Sequence, residues 1–135
     1  MTLSDEMRET LVQKAIQVRR WSYSPYSNYA VGAALLTASG KIYDGVNVEN
    51  AAYSVTMCAE RSAVFKAVSE GEREFVAISV VTENGGTPCG SCRQVLSEFG
   101  LDTIVLIANA QGEVVQETTV GGLLPGAFLP EKLDK

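Results

Sequence analysis

The sequence predicts an α/β fold: a mixed five-stranded sheet with helices on both faces, in three layers. Three observations predict it. Helical and extended hydrophobic patterns alternate along the chain, which calls for a sheet sandwiched between helices. Two pairs of extended segments are separated only by short turns, so hairpins place antiparallel neighbours in that sheet. The chain has 135 residues, enough for one domain, and it carries no internal repeat, linker or low-complexity stretch. A single domain over residues 1–135 is therefore expected.

Each element has its own signature. Leu3, Met7, Leu11, Ala15, Val18 and Trp21 recur at helical spacing with charges between them, predicting an amphipathic helix over residues 3–21. The turn formers of residues 22–28 break it. Residues 31–37 and 41–48 read as two strands joined at Ala38-Ser39-Gly40. A loop over 49–56 leads to a helix from about Met57 to Glu70, closed by Gly71. Residues 76–81 form a nearly continuous apolar run, the mark of a central strand. A Gly-rich loop follows over 82–87, and Pro88 opens a helix that ends at Gly100. Residues 104–108 are another apolar strand, 109–112 a turn, and 113–117 a returning edge strand. The apolar tail 123–128 reads as irregular.

Composition removes several functions. Eleven Lys+Arg against sixteen Asp+Glu leave a net charge of −5, a poor match for a nucleic acid polymer, which needs clustered cations. There is no His, so there is no imidazole base, no Ser-His-Asp triad and no His-ligated metal. No apolar stretch reaches the roughly 18–20 residues of a membrane span. Asp5, Glu6, Arg8 and Glu9 rule out a secretory leader at the N-terminus. Three cysteines are an odd count, which favours free or metal-bound thiolates in a reducing cytoplasm over a disulfide scaffold.

Those three cysteines carry the chemistry. Cys58 lies near the start of the second helix, and Cys89 and Cys92 lie at the start of the third. Residues three apart in a first helical turn face the same way. Helix N-termini favour thiolate over thiol. If the two N-termini meet at the sheet edge, three sulfurs converge and hold Zn²⁺ with one tetrahedral position open, the arrangement of a catalytic rather than a structural site. Such an ion lowers the pKa of a bound water to about 7. Glu60, two residues beyond Cys58, is placed to shuttle its proton. Three thiolates outweigh a dication, so a nearby guanidinium should offset the excess, with Arg61 the first candidate and Arg93 the second. A lone Cys-x-x-Cys would also suit a structural knuckle or a redox pair. The combination of Cys-x-Glu, a helix, a strand and Pro-Cys-x-x-Cys is the three-cysteine form of the zinc deaminase signature.

At Thr56-Met57-Cys58-Ala59-Glu60-Arg61 and Pro88-Cys89-Gly90-Ser91-Cys92-Arg93-Gln94 the chain resembles the cytidine deaminase family in its short-chain form. The likeness extends to residues 23–35, to the 45–53 segment with its Asn47-Val48-Glu49-Asn50, and to the 123–128 tail, in the family's order over about residues 8–129. It implies the cytidine deaminase three-layer fold and hydrolysis of cytidine and 2′-deoxycytidine to uridine and 2′-deoxyuridine with release of ammonia, a step of pyrimidine salvage. Carried over motif by motif, Cys58, Cys89 and Cys92 would bind one Zn²⁺ per subunit and Glu60 would be catalytic. Asn47 and Glu49 would hold the ribose, and Ala59 would offer a backbone group to the base. The family forms homotetramers with shared active sites, and Ala51, Tyr53 and Phe128 match positions that reach a neighbour's pocket. One position departs: Tyr29 stands where relatives often carry Phe, a ring that packs on the pyrimidine. The alternatives are a deaminase of another aminated nucleoside, such as blasticidin S, and a non-catalytic structural zinc module, which would need a fourth protein ligand.

Overall fold

In a computed structural model, residues 3–133 are described. The elements run α1 (Asp5–Arg19), β1 (Gly32–Thr37), β2 (Ile42–Val46), α2 (Ala59–Ser69), β3 (Phe75–Val81), α3 (Gly90–Ser97), β4 (Ile104–Ala108), β5 (Val114–Thr119) and a short α4 (Val120–Leu123), with 3₁₀ turns at Tyr53–Val55 and Pro130–Leu133. The five strands form one sheet in the order β2-β1-β3-β4-β5. β1 runs antiparallel to both β2 and β3, β3 and β4 are parallel, and β5 returns antiparallel to β4. The expected mixed sheet is present, and the apolar run at β3 occupies its centre.

Side chains alternate across the strands and both faces are covered, which is why all six residues of β1 are buried. On one face Ala34, Leu36, Ala77, Leu106 and Ala108 pack against Leu11, Val12 and Ala15 of α1. On the other Ala33, Leu35, Ile78, Val105 and Ile107 pack against Ala59, Ala63, Val64 and Ala67 of α2 and Leu96 of α3. The Ser79 hydroxyl donates to the Leu11 carbonyl at 2.7 Å, so the one polar side chain facing α1 from mid-β3 is satisfied. Glycine sets the closest approach on the second face. A Cβ at Gly45 would lie 2.6 Å from Ala63 N and 2.8 Å from Ala59 O, so β2 and α2 touch backbone to backbone.

α1 is shorter than its hydrophobic pattern. Ser4 caps it by accepting from Met7 N at 3.1 Å. It ends at Arg19 because Trp21 N and Ser22 N bond back to Val18 and Arg19 carbonyls in a tight final turn. Trp21, read from its spacing as part of the apolar stripe, is 68% exposed and carries the Arg20 guanidinium over its ring at 5.2 Å. A helical turn, Val120–Leu123, capped by Thr119 through Gly122 N, precedes the tail and takes in its first residue, and residues 124–128 carry no helix or strand, as expected of an irregular tail.

Candidate active site

The topology brings the two critical helix starts together. β2 and β3 are both antiparallel to β1, so their carboxyl ends lie at the same edge of the sheet. α2 follows the loop after β2, and α3 follows the loop after β3. The β-bridge between Val48 and Met57 closes the first of these loops and sets Cys58 as the N-cap of α2. Cys89 is the N-cap of α3, and Cys92 lies one turn on, fully buried.

The three sulfurs lie within 4.8 Å of one another. Cys58 Sγ is 3.8 Å from Cys89 Sγ, which is 3.5 Å from Cys92 Sγ. A tetrahedral site with zinc–sulfur bonds of about 2.3 Å has sulfurs roughly 3.8 Å apart, so the spacing and the soft donor set fit zinc. Among the described residues this is the one group of three or more Cys, Asp or Glu side chains so drawn together, and it supplies three protein ligands and no fourth.

Charge at the cluster is unevenly held. The Cys58 thiol is brought down to about 5, first by the Cys92 thiol donating to it and then by the Arg61 guanidinium, against the opposing effect of burial. Cys92 moves the other way, since it keeps the proton that Cys58 accepts and is itself buried. Arg61 Nη2 donates to Cys58 Sγ at 3.3 Å, three residues along the same helix. Arg93 reaches no sulfur. Its guanidinium donates to the carbonyls of Pro88 and Leu123, both at 2.8 Å, and to the Thr87 hydroxyl at 3.0 Å, so it ties the α3 entry to the C-terminal segment, and of the two arginines Arg61 alone contacts a sulfur. Glu60 is 4% exposed, and burial, with the Cys58 thiolate nearby, pushes its carboxyl up to about 7.

A cavity of about 270 Å³ opens over the cluster. Cys58, Cys89 and Glu60 line it, together with Ala59 and Val80. Asn47 and Glu49 form one wall, and Tyr29 and Tyr53 also contribute. Both wall residues are buried and already committed to the loop beneath them. Asn47 Oδ1 accepts from the Ser22 hydroxyl and from Val31 N at 3.0 Å, and its Nδ2 donates to the Tyr29 carbonyl at 2.8 Å. Glu49 accepts from the Ser27 hydroxyl, from Ser27 N at 3.1 Å and from Tyr26 N at 3.0 Å. The Ser27 hydroxyl is the first cause holding the Glu49 carboxyl below its usual range, which favours its ionised form.

The remaining sequence-selected positions lie elsewhere. Ala51 is exposed and does not line the cavity. Phe128 is 56% exposed and outside it, with its carbonyl held by Gln94 Nε2 at 2.9 Å. Tyr53 lines the mouth yet is 76% exposed. Local pattern marks Ser22 and Ser27 only as turn formers. Their hold on Asn47 and Glu49 crosses more than twenty residues of chain and left no signal in local pattern.

The family model described as the cytidine and deoxycytidylate deaminase zinc-binding region matches residues 5–108. Over 130 residues the chain is 52% identical to a cytidine deaminase of Halalkalibacterium halodurans, covering 94% of this chain and 98% of the relative. It is 51% identical over 128 residues to a cytidine deaminase of Sporosarcina psychrophila, covering 93% of each. Its fold superposes on the crystal structure of a cytidine deaminase from Burkholderia pseudomallei with a TM-score of 0.84 at 45% identity, over 93% of this chain and all of that one.

Proposed function

The chain belongs to the cytidine and deoxycytidylate deaminase family, and from that premise we propose that it hydrolyses cytidine and 2′-deoxycytidine to the corresponding uridines and ammonia. One observation carries the reading: three sulfurs converge at near-tetrahedral spacing, two of their residues, Cys58 and Cys89, line a cavity together with the buried Glu60, and among the described residues the potential ligands stop at three. A structural zinc module would need a fourth protein ligand.

Cys58, Cys89 and Cys92 would hold one zinc ion per subunit, and Arg61, which donates to the Cys58 sulfur, would draw charge from it. When bound, zinc supplies Lewis acidity and makes water acidic enough to act as a nucleophile near neutral pH. Glu60 takes a proton from the attacking water and delivers it to N3 of the pyrimidine. With the water oxygen now bonded to C4, Glu60 takes the proton of that C4 hydroxyl and passes it to the amine, so that the C4–N bond breaks, ammonia leaves and the C4 carbonyl of the uridine forms. Asn47 and Glu49 hold the ribose hydroxyls. The ionised Glu49 accepts from a sugar O–H, while Asn47 retains an N–H to donate. The Ala59 backbone meets the base.

Residues 1–135 act as one domain, and the subunits assemble as homotetramers with shared active sites. Tyr53 and Phe128 support this, since both are large, apolar and mostly exposed, and Ala51 lies on the same exposed loop as Tyr53. No helix among the described residues is long and apolar enough to cross a membrane. Three free cysteines suit the reducing cytoplasm.

The test follows cytidine by its ultraviolet absorbance and ammonia by a coupled assay. Glu60→Ala retains one zinc per chain and loses about 10²–10⁴-fold in turnover. A variant that keeps both zinc and wild-type turnover would refute the role of Glu60, and a wild-type chain inert toward both nucleosides would refute the substrate.

A further inference from the structure

The loop over residues 82–87 joins β3 to the Cys89 cap of α3, and three of its residues, Thr82, Gly86 and Thr87, line the cavity. It is held from two sides. At Gly85 the backbone is left-handed, with φ of +77°, and a Cβ there would lie 2.7 Å from Val115 Cγ2 on the edge strand β5. At the other side stands Tyr29. Its hydroxyl donates to Asn84 Oδ1 at 2.8 Å, and a Cβ at Gly86 would fall 2.7 Å from that same hydroxyl. Inside the loop, Gly86 N donates to Thr82 Oγ1 at 2.7 Å. Tyr29 is itself anchored: its N–H donates to the Ser27 hydroxyl at 3.0 Å, and its carbonyl accepts from Asn47. The phenol thus bridges the 26–31 segment, which bonds to Asn47 and Glu49, to the loop whose Thr82, Gly86 and Thr87 line the same cavity.

We propose that Tyr29 is a positioning residue whose hydroxyl, donated to Asn84, latches the 82–87 loop as a fixed wall of the cavity and so sets the size of base the site accepts. The specificity part rests on the reading of this cavity as a pyrimidine nucleoside site. A ring without the hydroxyl at position 29 keeps the apolar surface and releases the loop. Asn84 and Gly86 are the matching parts: one accepts the bond, and the other leaves the room that the hydroxyl occupies.

The test uses the full-length zinc-loaded chain with cytidine and 5-methylcytidine as probes. In Tyr29→Phe and in Asn84→Ala, KM for cytidine rises by about 2- to 10-fold, the worth of one hydrogen bond, with kcat held. The preference for cytidine over 5-methylcytidine falls in both. The double variant is no worse than either single one, because both remove the same bond. Gly86→Ala lowers the melting temperature of the wild-type chain, and Tyr29→Phe relieves much of that loss. Wild-type KM and selectivity in Tyr29→Phe, additive losses in the double variant, or a Gly86→Ala penalty indifferent to residue 29 would each overturn the latch. The melting cycle needs no substrate. If the wild-type chain does not deaminate cytidine, the substrate reading falls, and the Tyr29/Gly86 pair still decides whether the latch exists.

Discussion

Replacing Arg61 by Met separates the chemistry of the thiolate cluster from the stability of the fold. Arg61 Nη2 sits 3.3 Å from Cys58 Sγ. Opposite unit charges at that distance attract by about 5 kcal/mol at an effective dielectric of 20 and by about 1 kcal/mol in water. Arg61 is half-buried, so its environment lies between those limits. A hydrogen bond to a charged group contributes about 1.5–3 kcal/mol net, which corresponds to roughly 10- to 150-fold in an equilibrium constant. Loss of an outer partner of a metal ligand costs about 10–100-fold in metal affinity, so the two routes agree. The fold should feel little of this. Arg61 Nε is buried without a partner among the described residues, and a methionine, whose side chain reaches about as far as that Nε, discards the orphan donor while keeping the packing of the stem. The expected result is a zinc Kd weaker by about 10- to 100-fold, measured by competition with a chromophoric chelator, and melting of the zinc-free chain within about 1 kcal/mol of wild type. Arg61→Gln, which keeps a donor but no charge, falls between. Unchanged zinc affinity and turnover in Arg61→Met would refute the charge argument. A collapse in melting that parallels the loss of zinc would show that Arg61 acts through folding.

Glu49→Gln should destabilise the chain and raise KM, because the acceptor for the Ser27 hydroxyl and for the N–H groups of Ser27 and Tyr26 is weakened. The Glu49 carboxyl is held below its ordinary value in the folded state, so its contribution is present above the unfolded pKa of about 4.3 and is lost as pH falls through the lower folded value. Denaturation of wild type and variant at a series of pH values should therefore show the gap between them closing on the acid side of about pH 4.3. Gly45→Ala should cost about 1–3 kcal/mol or more in chemical denaturation, since its Cβ meets the α2 backbone and not a movable side chain. Arg93→Ala frees the Leu123 carbonyl and Thr87, so hydrogen exchange should rise in residues 120–128 while zinc affinity changes less than in Arg61→Met.

The two arginines show what local pattern can and cannot carry. Arg61 lies three residues from Cys58, and an i, i+3 pair on a helix meets by geometry alone. Arg93 follows Cys92 directly, so about 100° of helical rotation separates them. Its fate depended on where the C-terminal segment passes, a matter settled by packing around Val120 and Leu123. Trp21 fits the helical period and still faces solvent, because a period identifies one stripe of a helix but not where the helix stops. Tyr29 and Asn84 stand 55 residues apart in two loops, and nothing in either loop names the other.

By itself the sequence determined the order of the elements, the central place of β3 and the residue types able to bind a soft metal, because hydrophobic periodicity and thiol chemistry are local properties. Tertiary structure decided that the sulfurs meet. β2 and β3 share a direction across β1, so two helices distant in the chain begin at one sheet edge, and the same convergence buries Glu60 and turns Tyr29 toward Asn84. The physical reason is that strand pairing is a long-range choice: it places residues by hydrogen-bond register across the sheet and not by their spacing along the chain.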